Sequence, residues 1–433
     1  MINKPNIILF ITHDQGKFLN CYNSTDTPNN LKTPNVDKIA KKGIKFNNYF
    51  CTAPQCSPSR GSIKTSLYPH QNGLMGLVNL GWTLPESNKT LAIYLKENGY
   101  TTHLLGLQHE SLNANSLGYD TISKRGPEFK YSRNRMEKDY IKFLNEHQKD
   151  QKPFYLNIGT IEVHRPFKAW SKSVDPTQVI VPHYLPDIED VRNDLADFYG
   201  NVEVVDQTIG LLIDILEDLE MMENTLFIYT TDHGIPFPRA KCTLYDPGLR
   251  TSLIMYHKNS KEFTGGKTIN SLLSNIDLLP SLLDYTGAEI PDEIEGISFL
   301  PILRNQIKKG RSEIYAEKTF HEIYDPIRGI RTSKYKYIKN FEKLGTLYQI
   351  PADILRDPSG QVMKEKYKVT RPKEELYDLT VDPFEENNLI ENYEYNNILI
   401  EMRKKLNAWM IETKDPLLEG KVIDRRQKVQ KHY

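Results

Sequence analysis

The chain has 433 residues, of which 39% are hydrophobic and 26% are charged, a composition typical of a folded globular protein. Its 56 basic and 56 acidic residues give a formal net charge of zero, so it lacks the basic excess typical of nucleic-acid-binding proteins. No apolar run approaches the ~20 residues of a membrane-spanning helix, so neither nucleic acid nor a membrane is an expected partner.

The chain opens with a short apolar run, residues 6–12, that is strand-like and too short for the core of a secretory signal. We therefore expect a cytoplasmic location. Zero net charge also gives no overall field for binding an extended polyanion, which favours a small substrate.

Strand and helix patterns alternate over the first two-thirds of the chain. Strand patterns occupy residues 6–12, 101–105, 153–158 and 225–230, and helical spacing occupies residues 33–42, 205–219 and 278–285. Thr33 and Pro34 suit the start of the first helix. This alternation predicts an α/β domain built on a sheet.

The pattern changes near residue 310. Residues 329–340 alternate like one antiparallel strand, residues 375–379 form a short strand, and residues 398–413 form a terminal helix. We therefore predict two domains. Residues 1–310 form the catalytic α/β domain, and residues 311–433 form a smaller α+β domain with an antiparallel sheet and a terminal helix.

Polar side chains that can bind a metal follow four of the predicted strands. In chain order they are His13 and Asp14, His109, His164, and Asp232 and His233. Ligands of open α/β sheets bind beyond the carboxyl ends of the strands, so we expect these side chains in one crevice. A single His-Asp pair is more often a cap or a loop hydrogen bond, but two pairs on two strands favour a site. Two neighbouring ionised carboxylates are costly without a cation, which favours a divalent metal.

A second feature is the segment Cys56-Ser57-Pro58-Ser59-Arg60. Taken alone, a cysteine in a loop before a helix is usually structural or a plain thiol. A thiolate nucleophile at Cys56 would be favoured by Arg60 and by the helix N-terminus.

This segment resembles the Cys-x-Pro-Ser-Arg modification signature of the type I sulfatases. The resemblance extends from Asn6 to about Pro416 and is most specific at residues 6–16, 33–76, 106–109, 231–238 and 375–389. Within the family, residues 69–73, 232–238 and 409–416 look most like the heparan N-sulfatase (sulfamidase) branch and its bacterial relatives. The resemblance implies an alkaline-phosphatase-like mixed sheet flanked by helices.

The resemblance also implies a role for each matching residue. Cys56 would be oxidised to Cα-formylglycine by a maturation enzyme, and the hydrated aldehyde would attack sulfur. The expected metal ligands are His13, Asp14, Cys56, Asp232 and His233. Arg60 would hold the formylglycine hydrate, Lys241 would bind the sulfate, His109 would lie beside the nucleophile, and His164 would bind substrate and protonate the leaving group. His321 is a further candidate for the substrate cleft, with an exposed loop histidine as the alternative.

Three positions depart from the family pattern. His13 stands where many members have aspartate, and His233 stands where many have asparagine. Oxygen-rich sites suit Ca²⁺, which remains the expected metal, while two imidazoles favour Mn²⁺ or another divalent metal. Leu107 replaces the usual sulfate-binding lysine.

The predicted function is therefore hydrolysis of a sulfate ester or sulfamate on a small saccharide, such as a glycosaminoglycan fragment. N-sulfoglucosamine is the first-choice substrate. The alternatives are an O-sulfated sugar, an aryl sulfate, a phosphonate or phosphate ester, and a binding protein without activity.

Overall fold

The computed structural model describes residues 4–25, 27–123, 133–150, 152–167 and 174–427. Within these ranges, none of the helices is long and apolar enough to cross a membrane.

Fifteen strands are present in the described residues. They are β1 Asn6–Thr12, β2 Ile44–Phe46, β3 Tyr49–Phe50, β4 Thr101–Gly106, β5 Thr121–Ile122, β6 Phe154–Gly159, β7 Thr225–Thr231, β8 Arg250–Thr251, β9 Leu253–Tyr256, β10 Lys267–Ile269, β11 Leu273–Ser274, β12 Glu313–Phe320, β13 Tyr324–Thr332, β14 Tyr335–Asn340 and β15 Glu374–Asp378.

The α-helices of the described residues surround these strands. They are α1 Pro34–Lys42, α2 Cys56–Thr65, α3 Pro69–Asn72, α4 Leu91–Glu97, α5 Arg133–His147, α6 Glu189–Asp218, α7 Asp246–Leu249, α8 Leu278–Thr286, α9 Leu300–Leu303, α10 Ala352–Leu355, α11 Pro358–Met363 and α12 Asn396–Glu412.

The main sheet has eight strands in the order β10-β2-β9-β7-β1-β6-β4-β5. Its central strands β7, β1, β6 and β4 are parallel, whereas β9 runs antiparallel to β7. Successive residues of β1 enter two different cores: Ile8 and Phe10 pack on one face, and Ile7, Leu9 and Ile11 on the other. A mixed sheet buried on both faces requires helices on both sides, which confirms the predicted fold class.

Helix α6 is longer than its sequence pattern indicates. The prediction of residues 205–219 covers only its C-terminal half, although Val191, Leu195 and Val202 are buried in the N-terminal half. Asp194 and Asn201 are also buried there. These two polar residues interrupt the apolar stripe, so hydrophobic spacing alone did not reveal the first turns.

The C-terminal sheet is antiparallel, with strand order β12-β13-β14-β15. The prediction of one strand over residues 329–340 is wrong, because the chain reverses at Ser333 and Lys334 and pairs Arg331 with Lys336. The Thr332 hydroxyl oxygen accepts hydrogen bonds from the backbone N–H groups of Lys334 (3.2 Å) and Tyr335 (2.9 Å). A side-chain oxygen thus stabilises a turn that has neither glycine nor proline.

The C-terminal sheet is joined to the region around α2. The backbone N–H of Glu317 donates to Thr52 O at 2.8 Å, and that of Phe320 donates to Met75 O at 3.2 Å. The sheet therefore closes one side of the crevice at the strand ends. It begins at Glu313, near the boundary that the sequence predicts.

Candidate active site

The site is built at the carboxyl ends of the central parallel strands. Strands β1 and β7 pair in register up to Thr12 and Thr231, so the two chains leave the sheet side by side. His13 and Asp14 follow β1, while Asp232 and His233 follow β7. Asp14 has a φ of 51°, in the left-handed region, a backbone conformation that costs free energy for a non-glycine residue and that recurs at functional sites.

Five side chains converge at this edge with ligand atoms within 4.8 Å of one another: His13, Asp14, Cys56, Asp232 and His233. Asp14 Oδ1 lies 2.8 Å from both His13 Nδ1 and His233 Nε2. Cys56 Sγ lies 3.3 Å from His233 Nε2 and 3.6 Å from Asp14 Oδ1. All five predicted metal ligands are thus in one cluster.

The chemistry of this donor set fits a divalent cation. Two carboxylates, two imidazoles and a sulfur atom are buried together. Among the described residues, His13 Nε2 has no hydrogen-bond partner, so a buried nitrogen is available as a ligand. Burial alone would raise the pKa of Asp14, but Lys241 and His233 lower it well below its ordinary value. Asp14 is therefore ionised and ready to bind a cation.

Cys56 and Arg60 lie one turn apart on α2, so they share a face of the helix. Arg60 is fully buried, and its Nε donates to Asp232 Oδ2 at 3.0 Å. Arg60 Nη1 lacks a hydrogen-bond partner in the part of the chain that the structure describes. Burial and the charge of Asp14 raise the pKa of the Cys56 thiol well above its ordinary value. The unmodified cysteine is therefore a thiol here, with a buried guanidinium group nearby.

Lys241 links the metal cluster to a second acidic residue, Asp353. Its Nζ donates to Asp14 Oδ2 at 2.6 Å and to Asp353 Oδ2 at 2.8 Å. These carboxylates raise the pKa of Lys241 well above its ordinary value, although burial opposes the shift. Lys241 is therefore a buried, fixed cation beside the metal cluster.

His164 lies beside the same lysine. Its Nδ1 contacts the backbone oxygen of Arg165, and its Nε2 lies 3.4 Å from Lys241 Nζ and 3.7 Å from Asp353 Oδ2. Nε2 is therefore the ring nitrogen that faces the site. Burial and the charge of Lys241 lower the pKa of His164 to about 4, so the resting imidazole is neutral.

His109 and His321 are both buried, and neither ring has a hydrogen-bond partner among the described residues. The His109 ring lies 5.8 Å from that of His13, beside the cluster, and its place next to the nucleophile stays a prediction. Burial and the charges of Lys241 and Lys318 lower the pKa of His321 to about 3. His321 is thus a buried residue and not the exposed loop histidine of the alternative.

Sequence reasoning missed Asp353, which lies on the short helix α10. No motif marks this position, because α10 belongs to a segment between β14 and β15 that has no clear periodic pattern. Sequence reasoning also missed Arg165, which stabilises the loop that carries His164. The site opens into a cavity of about 410 Å³ whose lining includes His164, Arg165, Asp353 and Arg356.

Comparison with known families gives two matches. A sequence model of the Sulfatase family matches residues 5–288, and a model described as N-sulphoglucosamine sulphohydrolase, C-terminal, matches residues 237–368. Among characterised proteins, the chain is 28% identical to an ulvan-active sulfatase of Formosa agariphila, over 98% of this chain and 78% of that protein. It is 26% identical to the human N-sulphoglucosamine sulphohydrolase, over 95% of this chain and 91% of that protein.

Solved structures share the fold across nearly the whole chain, as two examples show. One is a protein in complex with its substrate D-glucosamine-2-N,6-O-disulfate, with a TM-score of 0.74 and 20% identity over 97% of this chain and 100% of the other. The second is a phosphonate monoester hydrolase from Silicibacter pomeroyi, with a TM-score of 0.74 and 17% identity over 98% of this chain and 100% of the other.

Proposed function

The chain belongs to the sulfatase family, and from that premise we propose that it removes sulfate from a small saccharide, with terminal N-sulfoglucosamine as the first-choice substrate. Family membership confirms the resemblance seen in the motifs and makes the chain a sulfuric ester hydrolase. The observation that carries the proposal is the convergence of Cys56, Arg60, Lys241 and His164 on one buried acidic and imidazole cluster.

The family implies a divalent metal and a formylglycine residue. We propose Ca²⁺ at His13, Asp14, Asp232 and His233, together with the modified residue 56, and Mn²⁺ as the alternative because two ligands are imidazoles. A bound metal supplies positive charge that lowers the pKa of a hydroxyl group and neutralises sulfate oxygens. Formylglycine supplies, when hydrated, two hydroxyl groups on one carbon, and a separate maturation enzyme is the proposed source of this modification.

The protein's own cations bind the sulfate group. Arg60 Nη1 and Lys241 Nζ are buried donors at the same crevice, and both carry charge that is fixed before the substrate arrives. Preorganised donors of this kind stabilise charge on the sulfuryl oxygens in the transition state. Leu107 gives no such donor, so we assign sulfate binding to Arg60 and Lys241.

His164 is placed to relay a proton to the leaving group: the neutral ring takes up a proton from solvent at Nε2 and then donates it. Its Nδ1 side is fixed on the Arg165 carbonyl, so a proton gained at Nε2 points into the site. Asp14 Oδ2 (3.9 Å) and Asp353 Oδ2 (3.7 Å) flank Nε2 and stabilise the protonated ring. His109, beside His13, is the proposed base for the second half of the reaction.

Two observations support an N-sulfated sugar. The C-terminal match to N-sulphoglucosamine sulphohydrolase includes Lys241, His321 and Asp353, three residues at or near the site. The cavity beside His164 has room for a small saccharide, and its lining includes the carboxylates of Asp353 and Asp357 and the guanidinium of Arg356. A carboxylate near the leaving group suits an amine product, which becomes an ammonium group in water.

A substrate panel tests the proposal. Protein whose conversion at Cys56 has been verified by peptide mass spectrometry is incubated with N-sulfated and O-sulfated mono- and disaccharides, and released sulfate is measured. We expect release from N-sulfoglucosamine, and none from a Cys56→Ala control. Desulfation of O-sulfated sugars alone would reject the specificity and leave the family assignment intact.

The same panel distinguishes the rival functions. A phosphonate monoester hydrolase shares this fold, so phenyl phosphonate and a phosphate ester are included. Faster turnover of either compound than of every sulfate would favour that rival, and no turnover of any compound would favour a binding protein. The proposed cytoplasmic location is checked separately by fractionating the native cells.

A further inference from the structure

A groove rich in positive charge lies outside the candidate active site. Three adjoining cavities of about 1050, 210 and 40 Å³ share Arg250 and together form what we call the basic groove. Asp246 is the one carboxylate among its described lining residues, against seven cations: Lys17, Lys45, Arg250, Lys308, Lys309, Arg311 and Arg331. None of the proposed catalytic or metal-binding residues lines it. A net charge of zero thus conceals a local excess of positive charge.

Lys17 is the most unusual cation of the groove. Only 6% of the residue is exposed, and within the described part of the chain no carboxylate lies at salt-bridge distance from its Nζ. Its Nζ lies 5.3 Å from the centre of the Tyr22 ring, and Lys45 Nζ lies 5.2 Å from the same centre. Burial and the charges of Arg250 and Lys45 lower the pKa of Lys17 to about 7. Placing this buried ammonium group beside two further cations is costly without a counter-anion.

The carboxylate of the groove is already shared. Asp246 Oδ1 lies 2.5 Å from Lys336 Nζ, and its Oδ2 lies 3.0 Å from Arg331 Nη2 and 3.4 Å from Arg250 Nε. Arg250 Nη2 also donates to the side-chain oxygen of Asn48 at 3.2 Å. Lys336 also pairs with Glu385 Oε1 at 2.6 Å, and Arg311 pairs with Asp277 Oδ1 at 2.6 Å. These three carboxylates are therefore occupied, and among the described residues none lies at salt-bridge distance from Lys17 or Lys45.

We propose that the basic groove binds the sulfate groups of a saccharide, as a second binding site apart from the hydrolytic centre. Ammonium and guanidinium groups are the natural ligands of sulfate oxygens. The exposed Asn270 lines the same groove and offers its amide to sugar hydroxyls. The 1050 Å³ cavity is large enough for a saccharide of several rings. The groove would hold a sulfated chain whether or not that chain is hydrolysed.

Direct binding tests this assignment. Isothermal titration with sucrose octasulfate, inorganic sulfate and unsulfated sucrose is compared between wild-type protein and a Lys17→Gln/Lys45→Gln variant. We expect the octasulfate to bind wild type and sucrose not to bind. Affinity should fall roughly 10-fold or more in the variant, because each lost charge-assisted hydrogen bond typically weakens binding at least that much. Binding of inorganic sulfate at the same site would show that a free anion suffices; its failure to bind would show that a multiply sulfated sugar is required.

Three controls make the result decisive. Lys142→Gln/Lys404→Gln removes two exposed lysines outside the groove and should leave affinity unchanged. Lys308→Gln/Lys309→Gln removes two groove cations at its other end and should also weaken binding. Lys241→Met should retain groove binding. Equal affinity of the Lys17→Gln/Lys45→Gln variant and wild type would overturn the proposal, as would no binding to wild type, or loss of binding only in Lys241→Met.

Discussion

Substitution of Arg165 measures how much its ion pairs stabilise the loop that carries His164. The side chain is buried; its Nη1 and Nη2 each donate to Asp194 on α6 at 2.7 Å, and Nη1 also donates to Asp357 at 2.7 Å. Its Nε donates to Pro236 O at 2.7 Å. Arg165 therefore joins the loop after β6 to α6, to the start of α11 and to the loop after β7.

Arg165→Met should keep the apolar packing and remove the charge. The guanidinium carbon lies 4.4 Å from the centre of the Phe167 ring and 4.6 Å from that of Phe237, so an unbranched apolar side chain fits there. Asp194, with 3% of its side chain exposed, would lose its buried partner. Breaking a buried pair in this way costs about 3–5 kcal/mol. Because the hydrogen bond from Ser359 N to Asp194 remains, at 3.3 Å, we expect a loss of about 3 kcal/mol, the lower end of that range.

Urea unfolding measures this loss as a change in the free energy of unfolding at constant slope. Adding Asp194→Asn to Arg165→Met should raise the free energy of unfolding by about 1 kcal/mol or more relative to Arg165→Met alone, since it removes the buried carboxylate charge that has lost its partner. Arg426→Met is the matched control: the exposed Arg426 side chain pairs with the 39%-exposed Asp424, and such surface pairs contribute about 0–1 kcal/mol. A loss below about 1 kcal/mol in Arg165→Met, or one equal to that of Arg426→Met, would refute the reasoning.

Four further outcomes are expected. Asp14→Ala and Asp232→Ala should each remove the bound metal, measured by elemental mass spectrometry, along with nearly all sulfate release; full metal occupancy in either would contradict the ligand assignment. Lys241→Met should lower sulfate release by ~10²–10³-fold, since it removes a preorganised donor, and near-normal rates would exclude Lys241 from sulfate binding. Asp353→Ala should lower kcat/KM about 10-fold or more by releasing Lys241, and unchanged kinetics would show that Asp353 has no positioning role. Burial lowers the pKa of His103 from 6.5 to about 4, so on acidification the unfolded chain binds a proton at this histidine before the folded protein does. The free energy of unfolding should therefore fall as the pH drops from 6.5 toward 4. The midpoint of thermal unfolding should depend less on pH in His103→Asn than in the wild type, and the same pH dependence in both would contradict this.

The sequence alone located the central strands and the residues that follow them. Strands β1 and β7 are mostly apolar runs, and the polar residues directly after them are fixed at the sheet edge by chain connectivity. The relative position of Cys56 and Arg60 is likewise set by local sequence, because side chains four residues apart in a helix lie on the same face. Local patterns were less reliable where polar residues interrupt them, as at Asp194 in α6 and in the turn after Thr332.

The tertiary structure decided what distant parts of the chain bring together. Asp353 reaches Lys241 only because the segment between β14 and β15 folds back over the sheet edge, and such a contact leaves no periodic signal in the sequence. Lys17, Lys45 and Arg250 likewise come from separate loops and strands and meet around Tyr22 and Asn48. The net charge of a sequence counts its charged residues but ignores where they lie in the fold. Electrostatic energy depends on the distances between charges, so a chain of zero net charge can still form a groove lined by basic residues.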